Sequence, residues 1–324
     1  MPPLLEVDDL RVNLPGPAGP ITVVDGISFA VDEGEIFGVA GESGSGKTIS
    51  TLALLRLLPK GATVGGRALF DGTDLLRLSG RALRQRRGNA LSMVFQDPMT
   101  SLHPMLSIER QMTDHVRSHL GMRKKAARAR ATELLEEVRI PDPERALSSY
   151  PHQFSGGMRQ RIAIAIALAC HPSLLIADEP TTALDVTVQA GIISLLAKLR
   201  RDHGLAVILI THDLGVMSTI ADRLTVFYAG RVVESGPTKD VIQHSRHPYT
   251  RGLLQALPHP EAETRALVPI PGAPATPQDR PDGCAFHPRC SYAAELCTRD
   301  VPALVDVGGK RRLACHVDPF RGGE

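Results

Sequence analysis

The sequence predicts an α/β fold with a largely parallel sheet, carrying a small cysteine-rich C-terminal extension. Three observations predict it. Short apolar runs suited to buried strands alternate with helical stretches through the first 245 or so residues. One of those runs ends in a glycine-rich octapeptide, GESGSGKT (41–48), and an apolar helix follows directly. Beyond about residue 245 the composition turns proline-rich, and four of the five cysteines lie past that point.

Composition bounds the answer. At 324 residues the chain can hold one large domain with an appendage, or two domains. It is 43% hydrophobic and 22% charged, ordinary for a soluble globular protein. A net charge of +2 gives no reason to expect nucleic acid as a partner. Basic residues cluster in RALRQRR (81–87) and RKKAARAR (123–130). These read first as solvated helix faces, and second as a surface for anionic lipid or a partner protein. The opening MPPLLEVDDLRV lacks the positive start and apolar run of a signal peptide. The longest apolar stretch, IAIAIALAC (162–170), is too short to span a bilayer. The expectation is a protein kept in the cytosol, where stable disulfides are rare.

The elements follow in order. LLEVDDLRVNL alternates loosely, PGPAGP breaks it, and ITVVDGISFAV alternates again, so residues 4–31 read as strands about a turn. EIFGVA (35–40) suits a short buried strand. From about 97 to 155 the pattern is helical and charged, as in KKAARARATELLEEVRI. Apolar runs return from 162 to 228 in SLLIADEP, AVILITHD and RLTVFYAGRVVESG, with a helix at VQAGIISLLAKLRRDHG. LPHPEAETRALVPIPGAPATPQDRPDG reads as extended connection rather than packed core. No internal repeat is visible.

GESGSGKT fits the phosphate-binding pattern G-x-x-x-x-G-K-[ST], in the strand–loop–helix context that the pattern requires. Gly41, Gly44 and Gly46 let successive backbone N–H groups of Gly41, Glu42, Ser43, Gly44, Ser45, Gly46, Lys47 and Thr48 turn toward one anion. The helix N-terminus adds its dipole. Lys47 is placed to reach the β- and γ-phosphates and Thr48 to put its hydroxyl on Mg²⁺. An accidental match would be a flexible glycine loop without the flanking strand and helix. SLLIADEP (173–180) supplies carboxylates where a buried strand ends, the position at which ligands sit in parallel α/β sheets. Asp178 is the candidate Mg²⁺ carboxylate and Glu179 the candidate general base toward an attacking water.

FSGGMRQR (154–161) opens a helix with a serine and two glycines. By itself this is a helix cap or a second anion-binding N-terminus. It also resembles the signature sequence of the ATP-binding-cassette (ABC) family, with Phe154 and Met158 in place of the usual leucine and glutamine. FQDP with Gln96 resembles the Q-loop, ALD (183–185) the D-loop and THD with His212 the switch histidine. With the P-loop and its partner carboxylates, six motifs stand in the family's order within residues 4–250. The resemblance implies a RecA-like P-loop NTPase core over 1–96 and 156–245, a helical subdomain over 97–155 and an extension over 246–324. It implies ATP and Mg²⁺, with Gln96 joining Thr48 and Asp178 about the metal. Two cassettes pair head to tail, so Ser155, Gly156 and Gly157 face the ATP of a partner subunit. Glu179 polarises water, His212 contacts the γ-phosphate, and Asp185 of the D-loop communicates across the pair. The family's adenine-stacking aromatic is absent from RVNLPGPAGPITVV, where Leu14 or a nearby valine takes its place.

MVFQDPMTSLHPMLSI (93–108), HPYTRGLLQALP (247–258) and GCAFHPRCSYAAELC (283–297) narrow the resemblance to ATPase subunits of oligopeptide/dipeptide (and nickel) importers. That branch implies two permease subunits, a second similar ATPase and an extracytoplasmic binding protein. The helical subdomain would receive a permease coupling helix, and contact with the membrane would run only through the permeases, at the cytoplasmic face. Tyr249 of HPYT reads equally as plain core packing. Two other classes fit the same residues less well. A nucleic-acid ABC ATPase would carry a second cassette or long insertions, which this chain lacks. An ATP-binding subunit without turnover would not need Lys47, Asp178, Glu179 and His212 together.

The cysteines are spaced C-x5-C-x6-C-x17-C at 284, 290, 297 and 315. There is no C-x2-C pair, so spacing leaves chance thiols, zinc and an iron–sulfur cluster open. The resemblance implies a [4Fe–4S] cluster on Cys284, Cys290, Cys297 and Cys315, with zinc as the alternative and His287 or His316 as replacement ligands. Cys170 lies in an apolar helix and reads as an ordinary buried thiol.

Overall fold

The computed structural model describes residues 2–97, 101–182, 184–256 and 269–321. Ala183 of the D-loop and residues 257–268 of the proline-rich connection lie outside the described residues. The chain packs as two compact units, one of Met1–Asp32, Ile36–Arg77 and Thr211–Glu324, the other of Glu33–Glu35 and Leu78–Ile210.

In the first unit a four-stranded antiparallel sheet runs in the order Ile21–Val31, Leu5–Leu14, Thr63–Phe70, Thr73–Asp74. The loose alternation of LEVDDLRV has a physical resolution. Leu5, Val7, Leu10 and Val12 are all buried, yet 7 and 10 differ in parity. A strand with period two can bury both only through a bulge. The register slips between Val7 and Leu10, and Asp9 takes φ 45, a conformation short polar side chains tolerate. Opposite, Gly66 sits at φ 91, where a Cβ would lie 2.3 Å from the Asp9 carbonyl oxygen.

The same unit holds a second run of strands in the order Val305–Asp306, Arg312–Leu313, Arg231–Pro237, Arg223–Tyr228, Ile36–Ala40. Among the described residues of this unit Ile36–Ala40 and Arg223–Tyr228 form the parallel pair. The others are antiparallel, so the largely parallel sheet expected from the alternation is confined to part of the protein. Short connections such as Ala229–Gly230 reverse the chain and leave no room for a crossover helix. Arg312–Leu313 pairs with Ser235 and Glu234, which ties the C-terminal segment into the strands of this unit. Glu234, fully buried, accepts from the backbone N–H groups of Arg246 (2.9 Å) and His247 (3.1 Å) and from Arg311 (2.7 Å).

In the second unit three parallel strands run Leu91–Val94, Leu174–Asp178, Ala206–Ile210. The last two are buried along their whole length, as continuous apolar runs require in a parallel sheet. Helices Ile108–Leu120, Lys124–Glu137 and Pro143–Ser148 occupy the charged stretch. Ser107 caps the first by accepting from Arg110 N, and Gly121 ends it at φ 64. Lys124–Glu137 buries Ala127, Ala131, Leu134 and Leu135, while Arg128 on its outer side pairs with Glu109 and Glu144. The basic cluster at 123–130 is therefore largely an exposed helix face with internal ion pairs.

Candidate functional site

The loop expected to bind phosphate is built on the fully buried strand Ile36–Ala40. Gly41 follows at φ 145, and a Cβ there would stand 2.3 Å from Phe227 O, so only glycine lets the chain leave the strand this way. The loop closes at Gly46, and the helix Lys47–Leu54 begins at the lysine. Lys47 is 5% exposed, and its Nζ donates to the carbonyls of Gly41 (2.8 Å) and Glu42 (2.9 Å). Ser45 Oγ is buried with no hydrogen-bond partner among the described residues.

Two residues outside the expected set hold this loop. Glu42 N donates to the Tyr249 hydroxyl at 2.9 Å, and Arg289 forks onto the Glu42 carboxylate at 2.7 and 3.1 Å. Tyr249 is fully buried against Tyr228 and Phe286, so it does pack in the core as well. Burial is the main reason its hydroxyl pKa is raised, which keeps the phenol neutral. HPYT signalled the tyrosine in the sequence; nothing local signalled Arg289. His212 is exposed, following Thr211, whose N–H donates to Val39 O at 3.2 Å. Asp213 caps the next helix, Leu214–Ile220. Leu14 is half-buried at the end of its strand, paired with Ile21.

In the second unit Asp178, 2% exposed, ends the strand Leu174–Asp178. Glu179 takes φ 45, outside the usual region for a glutamate, while its N–H donates to Ile210 O at 2.8 Å. Its Oε2 accepts from Gln96 Nε2 (3.0 Å) and from Thr182 Oγ1 (2.7 Å). Two predicted residues, Gln96 and Glu179, thus meet, and Thr182 joins them unpredicted. Ser155 caps the helix Gly156–Leu168 by accepting from Met158 N. A Cβ on Gly157 would lie 2.5 Å from Val188, so the signature helix packs closely on the helix Val186–His203. Asp185 caps that second helix, accepting from Val188 N at 2.9 Å.

The four C-terminal cysteines line one small cavity together with His247, His287 and His316. None is in a disulfide. Burial raises the Cys284 thiol to about 11 and also raises Cys290 and Cys315. Backbone amides at Phe286, Tyr292 and Val317–Asp318 oppose that by favouring the thiolates. Asp318 N lies 3.3 Å from Cys315 Sγ. Among the described residues no group of three or more His, Cys, Asp or Glu could hold a metal ion, so the described geometry does not support the expected cluster or its zinc alternative. Cys170 is buried, its thiol likewise pushed to about 11 by burial.

Comparison with known proteins places these features. The family described as "ABC transporter" matches residues 24–182, and "Oligopeptide/dipeptide transporter, C-terminal region" matches 233–297. The oligopeptide transport ATP-binding protein OppD of Salmonella typhimurium is 46% identical over 312 residues, 96% of this chain and 93% of that protein. The dipeptide transport ATP-binding protein DppD of Escherichia coli K12 is 46% identical over 314 residues, 97% of this chain and 96% of that one. Among solved structures, the dimeric post-hydrolysis ATP-binding cassette MJ0796 bound to ADP and Pi is 28% identical with a TM-score of 0.65, covering 72% of this chain and 98% of that chain. The structure of cbiO1 from Clostridium perfringens, part of the cbiONQ ABC transporter complex, is 27% identical with a TM-score of 0.63, covering 74% of this chain and 91% of that one.

Proposed function

The chain belongs to the ATP-binding subunits of oligopeptide/dipeptide ABC importers, and from that premise we propose how its residues hydrolyse ATP to power peptide import. The reading of the loop rests above all on one observation: a buried strand delivers a glycine-rich turn that ends at the N-terminus of the helix Lys47–Leu54, with Lys47 Nζ folded back onto the loop carbonyls. Residues Gly41 to Thr48 bind the phosphates through backbone N–H groups and Lys47. Lys47 leaves the Gly41 and Glu42 carbonyls to meet the β- and γ-phosphates. Thr48, Gln96 and Asp178 would hold Mg²⁺, which neutralises charge developing on the transferring phosphoryl group.

Hydrolysis then proceeds as one displacement. The oxygen of a water forms a bond to the γ-phosphorus as the bond to the β–γ bridging oxygen breaks. The water's proton passes to the Glu179 carboxylate, and ADP and phosphate are the products. Gln96 and Thr182 orient that carboxylate through the bonds they donate to Oε2. His212 stabilises the γ-phosphate. Ser155, Gly156 and Gly157 serve the nucleotide of a second ATPase subunit, and Asp185 faces that partner. ATP closes the pair and hydrolysis reopens it, a two-state element biased by one phosphate.

The chain works with two permease subunits, a second homologous ATPase and an extracytoplasmic binding protein, at the cytoplasmic face of the membrane. No helix among the described residues is long and apolar enough to cross a membrane. Functionally the chain divides into the nucleotide core at 1–96 and 156–245, the permease-facing helices at 97–155 and the extension at 246–324.

Cys284, Cys290, Cys297 and Cys315 would hold a [4Fe–4S] cluster. Four thiols on one cavity, none in a disulfide, with backbone amides near three of them, support that donor set. A zinc ion asks four sulfurs to converge at ~2.3 Å from one point. A cluster takes each thiolate on a different iron and accepts wider spacing. When bound it would cross-link the 284–297 segment to the strand Arg312–Leu313.

The test of the ATPase reading uses the assembled transporter, since a cassette alone lacks its partner's signature residues. Glu179→Gln should still bind ATP while hydrolysis falls by about 10²-fold or more. A Glu179→Gln complex that hydrolyses ATP at the parent rate would overturn the assignment.

A further inference from the structure

Glu42 is the acidic side chain of a loop read here as a triphosphate cradle. A carboxylate there repels the ligand unless it is neutralised or turned away. In the structure a cation neutralises it. Arg289 meets it in a fork, Nη1 to Oε2 at 2.7 Å and Nη2 to Oε1 at 3.1 Å. The Arg289 side chain is only 5% exposed, and Glu42 is 24% exposed. The guanidinium is itself held: Nε donates to Pro271 O at 2.9 Å, and the rings of Phe286 and Tyr228 stand 5.8 and 5.9 Å from its centre. A planar guanidinium with both edges engaged keeps one orientation.

The backbone of the same residue is held from a second direction. Glu42 N donates to the hydroxyl of the fully buried Tyr249 at 2.9 Å. Tyr249 N in turn donates to His247 Nδ1 at 3.1 Å. The remaining backbone group of Glu42, its carbonyl, accepts from Lys47 Nζ at 2.9 Å. The orientation of this one residue therefore reaches the lysine that serves the phosphates. Arg289 closes the short 3-10 turn His287–Arg289, and that turn is bonded to Cys284 on one side (His287 N to Cys284 O, 2.9 Å) and to Cys290 on the other (Cys290 N to His287 O, 3.2 Å).

We infer that Arg289 and Tyr249 are positioning residues for ATP binding: by holding the carboxylate and amide of Glu42 they keep the phosphate loop and Lys47 ready for nucleotide, so that the C-terminal segment sets nucleotide affinity. The inference rests on the reading of Gly41–Thr48 as the nucleotide loop. Both residues act on the loop through Glu42. Removing Arg289 releases a carboxylate next to the triphosphate and frees the turn; removing the Tyr249 hydroxyl frees the amide.

The experiment measures binding of the fluorescent nucleotide mant-ATP, with Mg²⁺, to the full chain and its variants, together with deuterium exchange of the nucleotide-free loop. Arg289→Ala should raise Kd about tenfold or more, the scale of one charge-assisted hydrogen bond. Arg289→Lys should recover part of that, keeping the charge without the fork. In a Glu42→Gln background, Arg289→Ala should raise Kd less than about threefold, because the two residues act as one unit. Amides of residues 41–46 should exchange faster in both Arg289→Ala and Tyr249→Phe. A variant that loses melting temperature yet binds mant-ATP with the parent's Kd would reduce both residues to structural roles and overturn the inference. Should Arg289→Ala fail to fold, Tyr249→Phe carries the test, and parental Kd with parental exchange overturns it there. If the parent chain binds no mant-ATP, the functional reading has failed instead, and the nucleotide-free exchange rates still report whether the clamp holds the loop.

Discussion

Gln96 Nε2 donates to Glu179 Oε2 at 3.0 Å, although 83 residues separate the two in sequence. Thr182 Oγ1 reaches the same oxygen at 2.7 Å. If Glu179 is the general base proposed above, it works only when aimed, and these two donors aim its carboxylate. Thr182→Val keeps the shape and removes the donor. It should lower kcat of the assembled transporter about tenfold while leaving the Kd for ATP within about twofold, since the contact serves the water and not the nucleotide. Steady-state ATPase rates and equilibrium binding, measured side by side, check the split.

Gly66 faces the bulge at Asp9 with φ 91, and a Cβ would lie 2.3 Å from Asp9 O and 2.7 Å from Asp8 O. Both obstacles are backbone, which cannot turn aside. Gly66→Ala should destabilise the protein by about 2 kcal/mol or more, from overpacking and a strained φ. A urea titration reads this as a lower midpoint at unchanged slope.

Asp25 gathers three guanidinium groups: Arg11 (2.5 Å), Arg231 (2.6 Å) and Arg280 (3.0 Å). Burial pushes its carboxyl up, but the bond from Arg231 and the three positive charges outweigh it and hold the pKa below the usual carboxylate range. Its folded pKa is therefore below its unfolded one. The stability it contributes is complete above about pH 4 and is lost as pH falls through the folded value. Asp25→Asn should be less stable at pH 7 and should show a shallower fall in stability below about pH 4. Denaturant melts at pH 7, 5, 4 and 3 check both halves.

The cysteine site has its own test. Protein purified without oxygen should carry about four irons and four acid-labile sulfides per chain and absorb broadly near 400 nm. Cys290→Ser should lose most of the iron, and its 284–297 segment should be cut faster by protease. One zinc and no colour would make the site a plain staple, and no metal would return the thiols to packing.

Much of this protein was determined locally. The loop Gly41–Thr48, the strand ending at Asp178, the cap at Ser155 and the glycine pair beside it depend on spacings of a few residues, and such spacings are visible in a sequence because the physics behind them is short-range. Only the tertiary structure decided the rest. The bulge at Asp9 needed the facing Gly66, and the antiparallel C-terminal strands needed Arg231–Pro237 as a template. The Glu42–Arg289 pair spans 247 residues of sequence. An arginine in HPRC carries no local mark of its partner, because a hydrogen bond is chosen by proximity in the folded state, and proximity across that separation is set by the packing of every element between.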